Sequence, residues 1–298
     1  MQLISANPAK LFKQIEQITN QLRAGQTDRN VLTCSNGIDF DCDPSWIRDL
    51  LRKKAVHDSD FQIFGRLPSH EGIVLDIGAN WGYGAASMIS SGCQNSILSF
   101  EVLPHLAICL SALKEERGGK YDFVTTGVAG SVDQIEFYTP LLGRHAITAL
   151  TTAKLPNFTP EEARALADNL ADHARRYMSL WDSKKLRVLR TMSPVQTIDA
   201  ALEGYSGTFN PKNVVAIKID VEGLEDSVLR GASDTVGRNR PILLIEGGTR
   251  NNGVGELLDL WGYQGLRWAG SKLEACSGLT TGTNGTFYHP KGHVPRFE

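Results

Sequence analysis

Residues 74–85 read VLDIGANWGYGA. A short run of Val, Leu and Ile around one aspartate suits a buried strand, and Gly78, Gly82 and Gly84 follow at once. Ala85, Ala86, Met88 and Ile89 then supply small and apolar helix positions, so the stretch predicts strand, glycine turn, helix. In a doubly wound α/β sheet that unit is the usual seat of a nucleotide-like ligand. The spacing narrows which one. A triphosphate loop needs GxxxxGK[ST], and no lysine follows these glycines. A dinucleotide turn needs GxGxxG, whereas the pattern here is D-x-G-x-x-x-G with an acid at the strand end.

Asp76 would repel a diphosphate but suits a ligand that carries an amino group. Asn80 stands in the turn, and asparagine is among the few non-glycine residues that tolerate left-handed backbone. Glu101 ends the next apolar run, SILSFEV at 96–102, where an acid commonly holds ribose hydroxyls. These features point to S-adenosylmethionine. Its amino group and ribose want acids, its carboxylate can use amides at a helix N-terminus, and it needs no phosphate contact. A glycine turn without a ligand is the alternative reading of the same residues.

The chain of 298 residues has room for one large α/β domain with additions, or for two small domains. A net charge of -2 gives no sign of a nucleic-acid or membrane-surface binder, and no apolar run reaches the length of a membrane span. The opening MQLISANPAKLFKQ lacks the features of a signal peptide, so a cytoplasmic location is expected. Cys34, Cys42, Cys93, Cys109 and Cys276 are scattered without a CxxC pair, which fits reduced thiols better than zinc.

Asn7-Pro8 reads as a helix start, with Leu11, Ile15, Ile18 and Leu22 at helical spacing after it. Residues 30–42 read as extended around Asn36-Gly37, and a second helix is expected from residue 44 to about 54. Residues 1–70 thus form a cap, and 71–298 the main domain. From residue 72, strand and helix alternate: GIVLDIG, SILSFEV, a helix near 104–117, YDFVTTGVAG, NVVAIKID at 213–220, GLEDSVLRGA and PILLIEGG at 241–248. QIEFYTP adds an alternating strand, and a helix near 254–261 precedes strands near 265–268 and 285–289. The order argues for a mostly parallel sheet covered by helices. One stretch, about 154–192, interrupts it. Thr159-Pro160-Glu161-Glu162 fits a capping box, and Ala163, Leu166, Leu170, Tyr177 and Trp181 lie on one face of the helix that follows. That helix reads as a packing element, a lid or a homodimer face.

A second acidic constellation lies in KIDVEG, residues 218–223. Lys218 and Asp220 emerge from a buried strand at the edge where open α/β sheets place their sites. Asp220, Glu222 and Glu225 crowd one turn, and Glu246 ends PILLIE. Close carboxylates raise one another's pKa, so one can accept a proton, and the group could instead share a divalent cation. The plain alternative is that Lys218 neutralises Asp220 while the glutamates serve a helix start.

VLDIGANWG, SFEV, GVAG, VQTIDAAL, VVAIKIDVEGLEDSVLRGA and PILLIE follow one another as in the FkbM-type methyltransferases, which this chain resembles over roughly residues 70–265. The resemblance implies a class I Rossmann-like fold: a seven-stranded sheet, helices on both faces, the last strand antiparallel. It also implies S-adenosylmethionine as cofactor and a hydroxyl on a sugar or natural product as acceptor. Carried over by motif, Asp76, Gly78, Ala79, Asn80 and Gly82 would line the methionine end. Glu101 and Val102 would take the ribose, and Val128 and Ala129 the adenine edge.

An acceptor hydroxyl must be aligned and lose a proton, by a base or with a metal. The candidate bases are Asp220, Glu222 and, in the polar loop GRHAITAL, His145; Lys218, Thr148, Glu246 and Arg250 are candidate substrate contacts. A divalent metal is left open. The rival readings are a nicotinamide-dependent oxidoreductase on a related fold and a non-catalytic cofactor-binding protein.

Overall fold

The strand expected after residue 72 forms at Ile73–Ile77, and both of its faces are buried. The computed structural model describes residues 2–5, 31–33, 37–41, 44–67, 71–142, 144–153, 187–246, 253–268, 273–275 and 285–290. The chain divides into two units. The larger comprises Pro44–Val102, Leu106–Asp133 and Pro194–Glu298; the smaller comprises Met1–Asp43, Leu103–His105 and Gln134–Ser193. The helix Pro44–Lys53 packs its apolar stripe into the larger unit.

The larger unit runs α1 (Pro44–Lys53), β1 (Ile73–Ile77), α2 (Tyr83–Ser90), β2 (Ser96–Phe100), α3 (Ala107–Arg117) and β3 (Tyr121–Val124). It continues with α4 (Ile198–Glu203), β4 (Val214–Ile219), α5 (Glu225–Arg230), α6 (Ser233–Asn239) and β5 (Ile242–Glu246). α7 (Val254–Leu260), β6 (Tyr263–Trp268), β7 (Leu273–Ala275) and β8 (Gly285–Pro290) complete it. The sheet order is β7-β6-β8-β5-β4-β1-β2-β3. From β5 to β3 every pair is parallel, and β8, β6 and β7 add on antiparallel. Eight strands replace the expected seven. The addition, β7, is three residues long and too short to carry a periodic signal.

Alternation along each strand assigns residues to two cores. Ile73, Leu75 and Ile77, with Leu98, Phe100, Ile217, Ile219, Leu243 and Ile245, meet residues of α4 to α7 such as Ile198, Val228, Val236 and Leu257. Val74, Ile97, Ala216 and Leu244 meet Ile47, Ala86, Met88, Cys109 and Leu113 from α1, α2 and α3. Helices therefore cover both faces, and burying each large aliphatic side chain contributes about 1.5–3 kcal/mol. Cys93 and Cys109 are buried and form no disulfide among the described residues, and burial pushes the Cys93 thiol up to about 11.

The smaller unit gathers the extended residues expected in 30–42 and QIEFYTP into a second sheet. Its strands are ordered Gln2–Ser5, Arg187–Gln196, Asp133–Leu142, His145–Ala146, Asp39–Asp41 and Val31–Thr33. Residues 187–192, expected in the insertion, are thus strand, while the helices expected near 8–25 and 159–181 lie outside the described residues. Within this unit His105 is fully buried against Phe40, ring centroids 4.0 Å apart. Neither ring nitrogen has a hydrogen-bond partner among the described residues, and burial pulls its pKa down to about 3.

Candidate functional site

Register builds the centre of the site. Lys218 of β4 stands directly beside Asp76 of β1, and Asp76 beside Ser99 of β2. All three share the α1–α3 face, one step beyond Ala216, Val74 and Ile97. Asp76 is fully buried; Ser99 Oγ donates to its Oδ2 at 2.9 Å, and Lys218 Nζ lies 3.2 Å from its Oδ1. The same Nζ donates to the Gly78 carbonyl at 3.0 Å and pairs with Asp220 Oδ2 at 3.1 Å. Burial alone would lower the pKa of Lys218, but Asp220 and Asp76 outweigh it and hold the ammonium well above its ordinary value. Gly84 admits this cluster beneath α2: a Cβ there would stand 3.2 Å from Asp76 Oδ1 and 3.5 Å from Lys218 Nζ. Asp76 thus has a charged partner inside the chain. It anchors Lys218.

The glycine turn follows from packing. Gly78 has φ +75°, and a Cβ on it would stand 1.9 Å from the Asp220 carbonyl oxygen. Its amide and that of Ala79 both donate to Phe100 O at 3.0 Å. Asn80 takes the left-handed φ of 48° that its residue type allows, and its amide donates to Glu101 Oε2 at 2.6 Å. Gly82, φ +87°, starts α2 beneath Leu110, Leu113 and Ile47. Glu101 is thus brought to the turn, at the C-terminal end of β2 and nearly buried. Val102 beside it is half-buried.

The strand-end acids differ from one another. Asp220 is half-buried; burial would raise its pKa, but Lys218 beside it holds the carboxyl below the usual range. Glu246, at the end of β5, is hydrogen-bonded to Asp220, and desolvation together with that neighbour pushes it up to about 9. Two carboxyl groups here share one proton. Glu222 is exposed, and its pKa is raised by desolvation, Asp220 and Glu225. Glu225 accepts from the Gly223 amide at 3.1 Å, a helix-start role. Among the described residues no group of three or more His, Cys, Asp or Glu could hold a metal ion.

Other expected residues are placed elsewhere. Val128 and Ala129 are buried, and the Ala129 amide donates to Gln196 O at 2.9 Å. His145 and Thr148 belong to the smaller unit, where His145 Nε2 lies 3.8 Å from buried Asp39, which also takes Arg144 Nε at 2.5 Å. Arg250 lies outside the described residues.

The sequence reading missed an aromatic wall beside the turn. Trp81 and Tyr83 pack edge-on to Trp46 of α1 at 5.5 and 5.3 Å, and His57 packs edge-on to Tyr83 at 4.8 Å. The signal was available as W-x-x-x-x-x-x-x-x-x-x-H before WGY, but such residues read equally as core.

Residues 76–265, more than half of the chain, match the Methyltransferase FkbM domain. This chain belongs to the FkbM methyltransferase family. No curated protein matches its sequence. Among solved structures it is similar to a methyltransferase FkbM from Methylobacillus flagellatus KT, at 13% identity and TM-score 0.42, over 82% of this chain and 60% of that one. The FkbM chain described here therefore matches only about 60% of that protein's length. It is also similar to an SAM-dependent O-methyltransferase from Thermotoga maritima, at 11% identity and TM-score 0.37, over 90% of this chain and 78% of that one. A third is an SAH-bound methyltransferase of Podospora anserina, at 11% identity and TM-score 0.35, over 83% of this chain and 85% of that one. No helix among the described residues of this FkbM-family chain is long and apolar enough to cross a membrane.

Proposed function

We propose that this FkbM-family chain is an S-adenosylmethionine-dependent O-methyltransferase acting on a hydroxyl of a small molecule, a sugar or a natural product, in the cytoplasm. The observation that carries it is the charge pattern at the C-terminal edge of β1, β2, β4 and β5. Glu101, Asp220, Glu222 and Glu246 gather there, while the nearby cation, Lys218, is fully engaged by Gly78, Asp76 and Asp220. Such an edge repels phosphate and favours a ligand with positive charge and hydroxyl groups. S-adenosylmethionine fits that donor set, with Glu101 for the ribose and the turn Gly78, Ala79, Asn80, Gly82 for the methionine end.

When bound, the cofactor would supply a methyl on positively charged sulfur, with the neutral thioether as its leaving group. The chain's task is to orient that oxygen and take its proton. Asp220, kept ionised by Lys218, accepts a hydrogen bond from the acceptor, and protonated Glu246 fixes the orientation of Asp220. Glu222 stands at the rim. No nucleic acid or membrane surface is needed as partner, and a homodimer through residues 154–192 completes the reading.

Calorimetry separates this from an oxidoreductase: S-adenosylhomocysteine is expected to bind and NAD is not. Asp220→Asn is expected to keep that affinity and to lose methyl transfer from labelled S-adenosylmethionine. Binding of NAD alone would overturn the reading, and unchanged turnover in Asp220→Asn would remove Asp220 from the chemistry.

A further inference from the structure

Two of the strand-end acids, Asp220 and Glu246, are poor proton acceptors for a hydroxyl. Asp220 is held as an anion by Lys218, and Glu246 already carries a proton. A different group stands beside the glycine turn. His57 is fixed at its backbone, where its amide donates to Ser87 Oγ of α2 at 2.9 Å. Its ring packs edge-on to Tyr83, the first residue of α2, at 4.8 Å, with Phe61 at 6.0 Å behind it. When protonated, His57 adds a small electrostatic pull on the Asp220 carboxylate.

Asp58 determines which ring nitrogen carries the hydrogen. Its Oδ1 accepts the Asp60 amide at 2.8 Å, capping the short helix Ser59–Arg66, and its Oδ2 lies 3.1 Å from His57 Nδ1. An ionised carboxylate only accepts hydrogen bonds, so Nδ1 is the donor and the lone pair sits on Nε2. Nε2 makes no hydrogen bond among the described residues, and the side chain is 41% exposed. The capping role explains Oδ1 but not the alignment of Oδ2 on the ring. The charged and titratable neighbours of this ring are Asp58 and buried Asp60 on its own segment, Tyr83 of α2 and Asp220 after β4.

We propose that His57 is the proton acceptor of the methyl-transfer reaction and Asp58 its positioning residue. The proposal rests on the methyltransferase reading above. The acceptor O–H bond breaks, the proton passes to Nε2, and the bonding pair stays on the oxygen that takes the methyl. Asp58 balances the imidazolium that results.

Two variants test it in the full chain. Asp58→Asn keeps an oxygen for the Asp60 amide, since asparagine is an equally good cap, but turns the other atom into a donor that reverses the imidazole tautomer. Nitrogen-15 NMR of the ring is expected to give the Nδ1–H form in the native chain and the Nε2–H form in Asp58→Asn. With labelled S-adenosylmethionine and a panel of methyl glycosides and phenols, His57→Gln is expected to slow transfer by about a hundredfold or more. Its affinity for S-adenosylhomocysteine stays that of the native chain. An Nε2–H ring in the native chain overturns the proposal, and so does His57→Gln turnover equal to native. If the native chain binds S-adenosylhomocysteine yet methylates nothing in the panel, the acceptor reading above is what fails. The tautomer then decides His57: Nδ1–H that flips in Asp58→Asn sustains the proposal, and Nε2–H ends it.

Discussion

Two clusters of carboxylate and lysine are built into the same eight-stranded sheet, and they resolve their charge differently. On the edge strand β3, the single carboxylate of Asp122 receives Lys114 Nζ at 2.5 Å, Tyr205 Oη at 2.7 Å and the Phe123 amide at 2.9 Å. Burial would raise its pKa, but these donors, Lys114 first, hold it below its ordinary value. At the ends of β4 and β5 the ratio is reversed. One lysine serves Asp76 and Asp220, and Glu246 leans on Asp220. Where donors outnumber carboxylates, the acid is a permanent anion and a structural tie. Where carboxylates outnumber cations, a proton stays behind, and the group is chemically poised.

Replacing the lysine of the second cluster breaks the contrast most forcefully. Lys218→Met leaves Asp76 buried without a cation, and the expected loss is about 3–5 kcal/mol in denaturant titration. A loss equal to that of an exposed-lysine variant would mean that Asp76 is already neutral. Tyr205→Phe probes the first cluster by removing one donor of three, at an expected cost of about 2 kcal/mol. Because Asp122 is then held less firmly below its ordinary pKa, the variant also loses less of its stability on acidification. The smallest effect at neutral pH belongs to Glu246→Gln. Glu246 has a folded pKa raised from 4.5 to about 9, so its stabilising contribution is complete below 4.5 and vanishes as pH rises to about 9. Thermal unfolding of Glu246→Gln is therefore expected to fall less between pH 5 and pH 9 than that of the native chain. Parallel curves would show that Glu246 is ionised throughout.

The parallel half of the larger sheet was legible because fully buried strands are apolar runs bounded by glycine, as in VLDIG and PILLIE. Period and turn chemistry carried that much. The second sheet was legible only in part: residues 30–42 read as extended around Asn36-Gly37 and QIEFYTP as a strand, but His145–Ala146 is two residues long and acquires meaning only as a neighbour of Asp39. Of the site, Glu101 and the turn were placed by motif. The pairing of Asp76 with Lys218 was not legible, because one-dimensional spacing does not reveal that register sets the two side by side. His145 drew attention as a lone loop histidine, yet its partner is Asp39. His57 passed unremarked because its meaning lies in a carboxylate oxygen aimed at one ring nitrogen, a relation with no sequence periodicity.

Gly78 meets Asp220 backbone to backbone, and the neighbouring Lys218 bond to the Gly78 carbonyl spans 140 positions of chain. No local fragment can rehearse such a contact. The turn and the strand-end acids come into being only when β4 docks on β1, so the loop-closure entropy of that long excursion falls on the step that creates the site. In refolding, protection of the Asp220 amide, which donates to Ile77 O at 3.1 Å, would mark the moment at which the protein first acquires its chemistry.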